Sequence, residues 1–300
     1  MTKVAADFGL EADFALDLTT YDEVDGEPWD FNEDWIQRKA LDRIHRLKPG
    51  LVMLCPTCAP FSRLQGWNFL RMQNGGVEEL LEDGMKHLCF AALICLIQHK
   101  AGRYFIFEHP DAAESWRTRV MSLVADLPGV VRTKFDFCML GMTSEDEKGR
   151  APVRKTTGIL TNGATIAEVI GRARCDGQHR HIPLLHGKAK SCEVYPEKFC
   201  RRICEAYVMQ LEEDQRQART CRSSLSEAVA AVSVTNVVKP LVEAEEGKAN
   251  RTREEARTYM KQLKQELVEE YGHEYVEYVC LSASKEKEGE NKLRWSDTEN

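Results

Sequence analysis

Leu51-Val52-Met53-Leu54-Cys55-Pro56-Thr57-Cys58-Ala59-Pro60-Phe61-Ser62 is the stretch on which the reading of the whole chain turns. Its first five residues are continuously apolar, as a central strand covered on both faces should be, and Pro56 then stops the strand. Immediately upstream, Ile36, Ala40, Leu41, Ile44 and Leu47 recur at helical spacing, with Asn32 as a candidate N-cap and Pro49-Gly50 as the stop. Further upstream, Phe14-Ala15-Leu16-Asp17-Leu18 reads as another short strand closing at an acidic residue.

Downstream the same alternation repeats. Residues 78–99 follow a long helical pattern, and Arg103-Tyr104-Phe105-Ile106-Phe107 is a strand closing on Glu108-His109-Pro110. Residues 112–125 and 165–174 read as helices, residues 130–138 and Gly158-Ile159-Leu160-Thr161 as strands. Strands alternating with helices predict an α/β fold, a Rossmann-like parallel sheet flanked by helices. Such sheets hold ligands at the carboxyl ends of their strands, which is where Cys58 and Glu108 fall.

Of the 300 residues, 43% are hydrophobic and 30% charged, enough apolar content to bury a core. The net charge of -7 excludes a globally basic nucleic-acid binder, so any such substrate must be held by a local Lys/Arg patch. The start of the chain lacks a basic-then-apolar signal pattern, so the 11 cysteines read as reduced thiols of an intracellular protein, nuclear or cytoplasmic. No apolar run approaches the roughly 20 residues that cross a membrane. Character changes after about residue 210. Residues 1–210 are read as the α/β domain, residues 211–284 as a helical extension that can meet a protein partner, and residues 285–300 as a disordered tail.

Two residues carry the candidate chemistry. Cys58 follows a buried strand and a proline, and a helix N-terminus after it would lower the thiol pKa and make a covalent nucleophile. The competing reading is a structural cysteine in a tight turn. Glu108 ends an apolar strand, where desolvation favours the protonated acid and lets it donate a hydrogen bond to a heterocycle nitrogen. The competing reading is a carboxylate answering a helix dipole.

Taken together, these residues resemble the DNA cytosine-5 methyltransferases, and most closely a divergent branch found in phages and mobile elements. Leu54-Cys55-Pro56-Thr57-Cys58-Ala59-Pro60-Phe61-Ser62, with Leu64-Gln65 and Asn68 after it, is similar to the family's P-P-C-x-x-F-S segment. Phe107-Glu108-His109-Pro110 resembles its E-N-V or E-H-P segment, Lys155-Thr156-Thr157 its K-P-T segment, and Val194-Tyr195-Pro196 a late Y-P segment. The resemblance runs from about Leu16 to Tyr207. It implies that Cys58 attacks C6 of a cytosine and that Glu108 holds the N3 edge. It further implies S-adenosylmethionine as methyl donor, with Asp17, Pro56 and Ser62 toward that cofactor, and DNA as partner, its target base flipped or single-stranded.

Two departures qualify that expectation. Thr57 stands where the family has a second proline. The glycine-rich turn expected before the Asp17 strand is missing, with Gly9 alone upstream. The chain as given is therefore expected to bind S-adenosylmethionine weakly or not at all, either as a fragment or as a fold that has lost methyl transfer. The alternative function is a catalytically dead nucleic-acid- or protein-binding module derived from a mobile element.

Cys175-Asp176-Gly177-Gln178-His179-Arg180-His181 is a second constellation. Cys175, His179 and His181 are candidate Zn²⁺ ligands, with Cys192 or His186 as the fourth. The competing reading is a polar loop on phosphates, with Arg172, Arg174, Arg180, Lys188 and Lys190 around it. Arg150, Arg154 and Lys155 form a further basic segment for the same purpose.

Overall fold

Two of the apolar runs read as strands are neighbours in the sheet. In a computed structural model that describes residues 1–62, 76–184 and 192–229, strand β1 (Leu51–Leu54) lies parallel to β2 (Tyr104–Pro110), Leu51 opposite Tyr104 and Leu54 opposite Phe107. Helix α1 (Thr2–Ala5) and a short 3-10 turn precede α2 (Asp34–Leu47), and α3 (Gly76–Lys100) makes the crossover between the paired strands. Helix α2 buries Ile36, Ala40, Leu41 and Ile44, one stripe at helical spacing, and ends where Lys48 adopts φ 48° before Pro49. Its N-cap is Glu33 rather than Asn32. Helix α3 is buried all round from Leu88 to Leu96 and forms the centre of one layer.

Beyond β2 the expected all-parallel sheet gives way to a mixed one. Helix α4 (Arg119–Ala125) leads to β3 (Val131–Asp136). The hairpin of β4 (Thr143–Asp146) and β5 (Gly149–Pro152) follows, then β6 (Thr156–Thr161). The four-stranded sheet has the order β1-β2-β6-β3, and β6 runs antiparallel to both neighbours. The reason is local. A parallel return needs a crossover of a dozen or more residues, usually a helix, whereas β3 and β6 are joined by a small hairpin that sends the chain straight back. Residues 14–18 form no strand either: Phe14 and Leu16 pack against the core from irregular backbone.

Side chains alternate across the sheet and build two cores. Phe105, Phe107 and Leu160 face α2, α3 and α4, with Trp29 and Met121. Ile106, Phe135 and Ile159 face the other layer, α5 (Ala164–Gly171) and α6 (Glu197–Val229), with Phe137, Phe199 and Ile203. Helix α6 passes residues 210 and 211, the expected domain boundary, without a break, and Asp214 on it accepts a hydrogen bond from Tyr104 Oη at 2.6 Å. The rest of the expected extension and the tail, residues 230–300, lie outside the described residues, as do Leu64, Gln65, Asn68, His186, Lys188 and Lys190. Of the nine cysteines from Cys55 to Cys204, six are buried and all are free thiols. Among the described residues no helix is long and apolar enough to cross a membrane.

The loop after β1 rests on α3 at Gly84. A Cβ there would come within 2.7 Å of Pro60 Cγ and 2.8 Å of Pro60 Cβ, a ring with little freedom to retreat. Gly84→Ala should therefore lose stability, by about 1–3 kcal/mol, despite the better helix propensity of alanine. Urea denaturation measures it, and an unchanged or higher midpoint would show that the loop does not depend on this contact.

Candidate active site

Consecutive residues of β2 point to opposite faces, and Glu108-His109 uses this to serve the site twice. His109 lies on the α3 side, 1% exposed, among Phe61, Phe107 and Trp116. Its Nε2 is 3.2 Å from the Pro56 carbonyl, and its Nδ1 is 2.5 Å from Ser115 Oγ. A carbonyl only accepts, so Nε2 carries the proton and the Ser115 hydroxyl donates to Nδ1. His109 thus ties the Pro56-Thr57-Cys58 turn to the sheet.

Burial holds the His109 pKa at about 4, outweighing the raising effect of its bonds to Pro56 and Thr57. The sign follows from the ordinary value of 6.5. Both folded and unfolded rings are neutral above pH 6.5, so the full contribution is present there. It is lost as pH falls from 6.5 toward 4, because the unfolded ring takes a proton that the folded ring refuses, a loss of about 2–4 kcal/mol. Stability curves of wild type and His109→Gln, whose amide can make both bonds without titrating, should converge toward pH 4. Parallel curves across that window would remove the assignment.

Glu108 faces the other layer and is 5% exposed. Its Oε2 accepts a 2.6 Å hydrogen bond from Tyr195 Oη, while Oε1 is buried without a partner among the described residues. Burial raises the carboxyl above the usual carboxylate range, against the lowering effects of Lys155 and Tyr195. The Tyr195 phenol is itself pushed up by burial and by Cys55 and Glu108, and so remains a neutral donor. Glu108 lies inside β2 rather than past its end.

Cys58 is half-buried at the N-cap of the 3-10 turn Ala59–Phe61. The expected lowering of its pKa by a helix N-terminus is reversed. A three-residue turn has little dipole, and burial raises the thiol, with Lys155 pulling it down and Glu108 pushing it up. The Lys155 ammonium and the Glu108 carboxyl are thus near enough to bear on the Cys58 thiol. Lys155 Nζ lies 5.3 Å from the Phe137 ring centre, and the Phe137 ring stacks on Tyr195 at 5.8 Å and 15°. Sequence reasoning placed Cys55 inside the strand. It sits one residue past β1 with surface open to a cavity, although surrounding protein and Glu108 raise its thiol too. Tyr195 was read only as part of a motif, and nothing in its sequence neighbourhood signals its bond to Glu108.

The cavity beside β1 has a volume of about 700 Å³ and touches Phe14, Leu16, Asp17, Leu54, Pro56 and Tyr195. The residues that the resemblance turns toward S-adenosylmethionine are not arranged as it implies. Asp17 follows no strand, and its Oδ1 is occupied by the Thr19 amide at 2.9 Å and the Thr19 hydroxyl at 2.6 Å. Gly9 also lines the cavity, at φ 68°, and a Cβ there would meet no protein atom within 4 Å. Ser62 caps the 3-10 turn through its backbone N–H to the Ala59 carbonyl, and Pro56 is engaged through its carbonyl by His109.

The expected phosphate contacts are mostly paired with protein groups. Arg172 meets Glu168 at 2.5 Å and Arg180 meets Asp146 at 2.6 Å. Arg174 and Arg154 lie 3.4 and 3.7 Å from the buried Asp136, and Arg150 Nε donates to Thr143 Oγ1 at 2.8 Å. Of the six expected cations, Lys155 is the one whose charge reaches Cys58 and Glu108.

On the far side of Phe137 a second cluster forms. One ligand atom from each of Cys138, Cys175, His179 and His181 lies within 4.8 Å of the others, a group able to hold a metal ion. The fourth member is Cys138, from the 3-10 turn Phe137–Leu140, and not Cys192, which is buried in the α5–α6 core. Comparison of the chain with protein-family models, curated proteins and solved structures finds no match.

Proposed function

We propose that Cys58, Glu108, Lys155 and Tyr195 border a cleft, apart from the cavity beside β1 whose lining includes neither Cys58 nor Glu108, and that this cleft binds a cytosine-like base and activates it by thiol addition, the base-handling half of a DNA cytosine-5 methyltransferase-like reaction. The observation that carries the reading is Glu108: a buried carboxyl with a raised pKa, one oxygen held by Tyr195 and the other without a partner among the described residues, near enough to bear on the Cys58 thiol. A neutral acid donates to a ring nitrogen that a carboxylate would repel. The Cys58 proton leaves to solvent as sulfur bonds to C6. The C5–C6 π pair shifts to C4–C5, the C4–N3 π pair goes to N3, and N3 takes the proton of Glu108. C5 then accepts a proton from water and loses its original one, the sulfur departs, and Glu108 regains its proton.

Methyl transfer from S-adenosylmethionine is no part of this proposal, because Asp17, the expected ribose contact, follows no strand and turns Oδ1 to Thr19. DNA remains the proposed partner, with the base extruded or single-stranded. Zinc, the other cofactor in this reading, has its place at the Cys138–His181 cluster rather than in the cleft.

The test is release of tritium from cytosine labelled at C5 in a single-stranded oligonucleotide, with residues 1–300 and no methyl donor. Release above the protein-free rate is expected, and calorimetric titration with S-adenosylmethionine should show no micromolar binding. Background release would leave a catalytically dead binding module. Micromolar binding of the cofactor would show that another segment supplies its cradle.

A further inference from the structure

We propose that Cys138, Cys175, His179 and His181 form a closed, tetrahedral zinc site that clamps the wall of the cleft carrying Lys155 and Tyr195. The clamp rests on the zinc assignment, and the zinc assignment does not rest on the chemistry of the cleft.

Distances argue first. Cys175 Sγ lies 3.7 Å from His179 Nε2 and 3.4 Å from His181 Nε2. With Zn–S about 2.3 Å and Zn–N about 2.0–2.1 Å, neighbouring S and N ligands of a tetrahedron stand about 3.6 Å apart. The two imidazoles crowd at 4.5 Å between centres, 61° apart, which suits two rings converging on one point. The donor set is two thiolates and two neutral imidazoles, neutral overall around Zn²⁺ and soft enough to reject magnesium and calcium. Four protein ligands leave no open position, the mark of a structural ion.

The surroundings are also those of a thiolate. The Gly177 amide donates to Cys175 Sγ at 3.3 Å, a bond that turns on the left-handed conformation of Gly177 at φ 79°. The Cys175 amide in turn donates to Asp136 Oδ2 at 2.9 Å. Outer contacts of this kind orient metal ligands.

The ion would add a second tie between two segments that already meet at Asp136, whose N–H donates to the Ala173 carbonyl at 2.8 Å and whose carboxylate accepts from the Cys175 amide. Cys138 belongs to the turn whose first residue, Phe137, stacks on Tyr195 and lies under Lys155. The other three ligands belong to the loop after α5, tied to β5 by the Ile182 amide on the Pro152 carbonyl at 2.9 Å. Fixing Cys138 therefore fixes the ring that both cleft residues lean on.

Elemental analysis of protein purified without chelator should give one zinc per chain, retained in Cys192→Ser and lost in Cys138→Ser. Should Cys138→Ser fail to fold, wild type reconstituted with Co²⁺ decides instead: thiolate-to-cobalt charge transfer and strong tetrahedral d–d bands are expected. Chelation should free two thiols per chain. Zinc below a tenth per chain with no cobalt spectrum, full zinc in a folded Cys138→Ser, or thiols that appear only on reduction, as from a Cys138–Cys175 disulfide, each overturns the site. The clamp has its own readout. Amide hydrogen exchange should accelerate on zinc removal across residues 137–140 and 175–182 while α2 and β1 stay unchanged. Unchanged exchange in protein shown to lose its zinc would overturn the clamp and leave the site standing.

Discussion

Cys58→Ser will abolish release of the C5 hydrogen of cytosine, and Glu108→Gln will slow it by about 10²–10⁴-fold while leaving base binding nearly intact. The two variants remove different halves of one step. A serine hydroxyl in place of Cys58 is far less acidic and less nucleophilic than a thiol, so no bond forms to C6. A glutamine at 108 still donates an N–H to N3 but has no proton to give, so the ring holds the base without becoming a better electrophile. The pH profile adds a separate check. The productive form has Cys58 as thiolate and Glu108 as acid, and burial raises both groups above their ordinary 9.0 and 4.5. With the acid titrating below the thiol, the rate should form a plateau, falling on the acid side at the raised Glu108 pKa and on the alkaline side at the raised Cys58 pKa. Release that survives Cys58→Ser would direct attention to Cys55, which opens on the adjoining cavity.

The largest stability effect is expected at Asp136. Its carboxylate is fully buried and accepts from Thr156 Oγ1 at 2.6 Å and from the Cys175 amide at 2.9 Å, with Arg174 and Arg154 at 3.4 and 3.7 Å. Burial alone would raise its pKa, but the hydrogen bonds and the two guanidinium groups together hold it below the usual carboxylate range. Asp136→Ala leaves the Thr156 hydroxyl and the Cys175 amide without an acceptor and two arginines facing an apolar methyl. Because the Arg154 and Arg174 side chains stay 48% and 39% exposed, the cost falls on the two stranded donors, about 1–3 kcal/mol each. For a domain of this size that is a fall in Tm of roughly 10 °C. Asp136→Asn, which keeps one acceptor oxygen, should lose less. Calorimetric melting measures both, and an alanine variant within about 1 kcal/mol of wild type would show that water replaces the carboxylate.

What could be read in the sequence was whatever repeats or sits locally. The β1 and β2 runs, the stripe of α2 and the long buried α3 follow from apolar spacing alone, and Glu108-His109 announces itself as polar residues in an apolar strand. The direction of β6 could not be read, because Gly158-Ile159-Leu160-Thr161 is covered on both faces and a fully buried strand looks the same parallel or antiparallel. Phe14-Ala15-Leu16-Asp17-Leu18 misled for a related reason: irregular backbone that drops Phe14 and Leu16 onto a core shows the alternation of a strand. Cys138 was hidden as a ligand because it belongs to a different stretch of chain from Cys175, His179 and His181, and the turn after β3 that carries it had been read as more strand. Tyr195 and Lys155 converge on Glu108 only through the tertiary fold.

The placement of β6 between β2 and β3 also sets the order in which the protein can assemble as it is made. Until Thr161 has emerged, β2 has β1 on one side and nothing on the other, since its second neighbour is encoded 161 − 110 = 51 residues beyond its own end. At roughly 5–20 residues per second, synthesis of that interval takes about 3–10 s. For those seconds the nascent chain presents Phe105, Ile106 and Phe107 on a strand with an unpaired edge, the kind of surface that chaperones cover and that aggregates recruit. The small hairpin of β4 and β5, by returning the chain without a helix, keeps that exposure as brief as the topology allows.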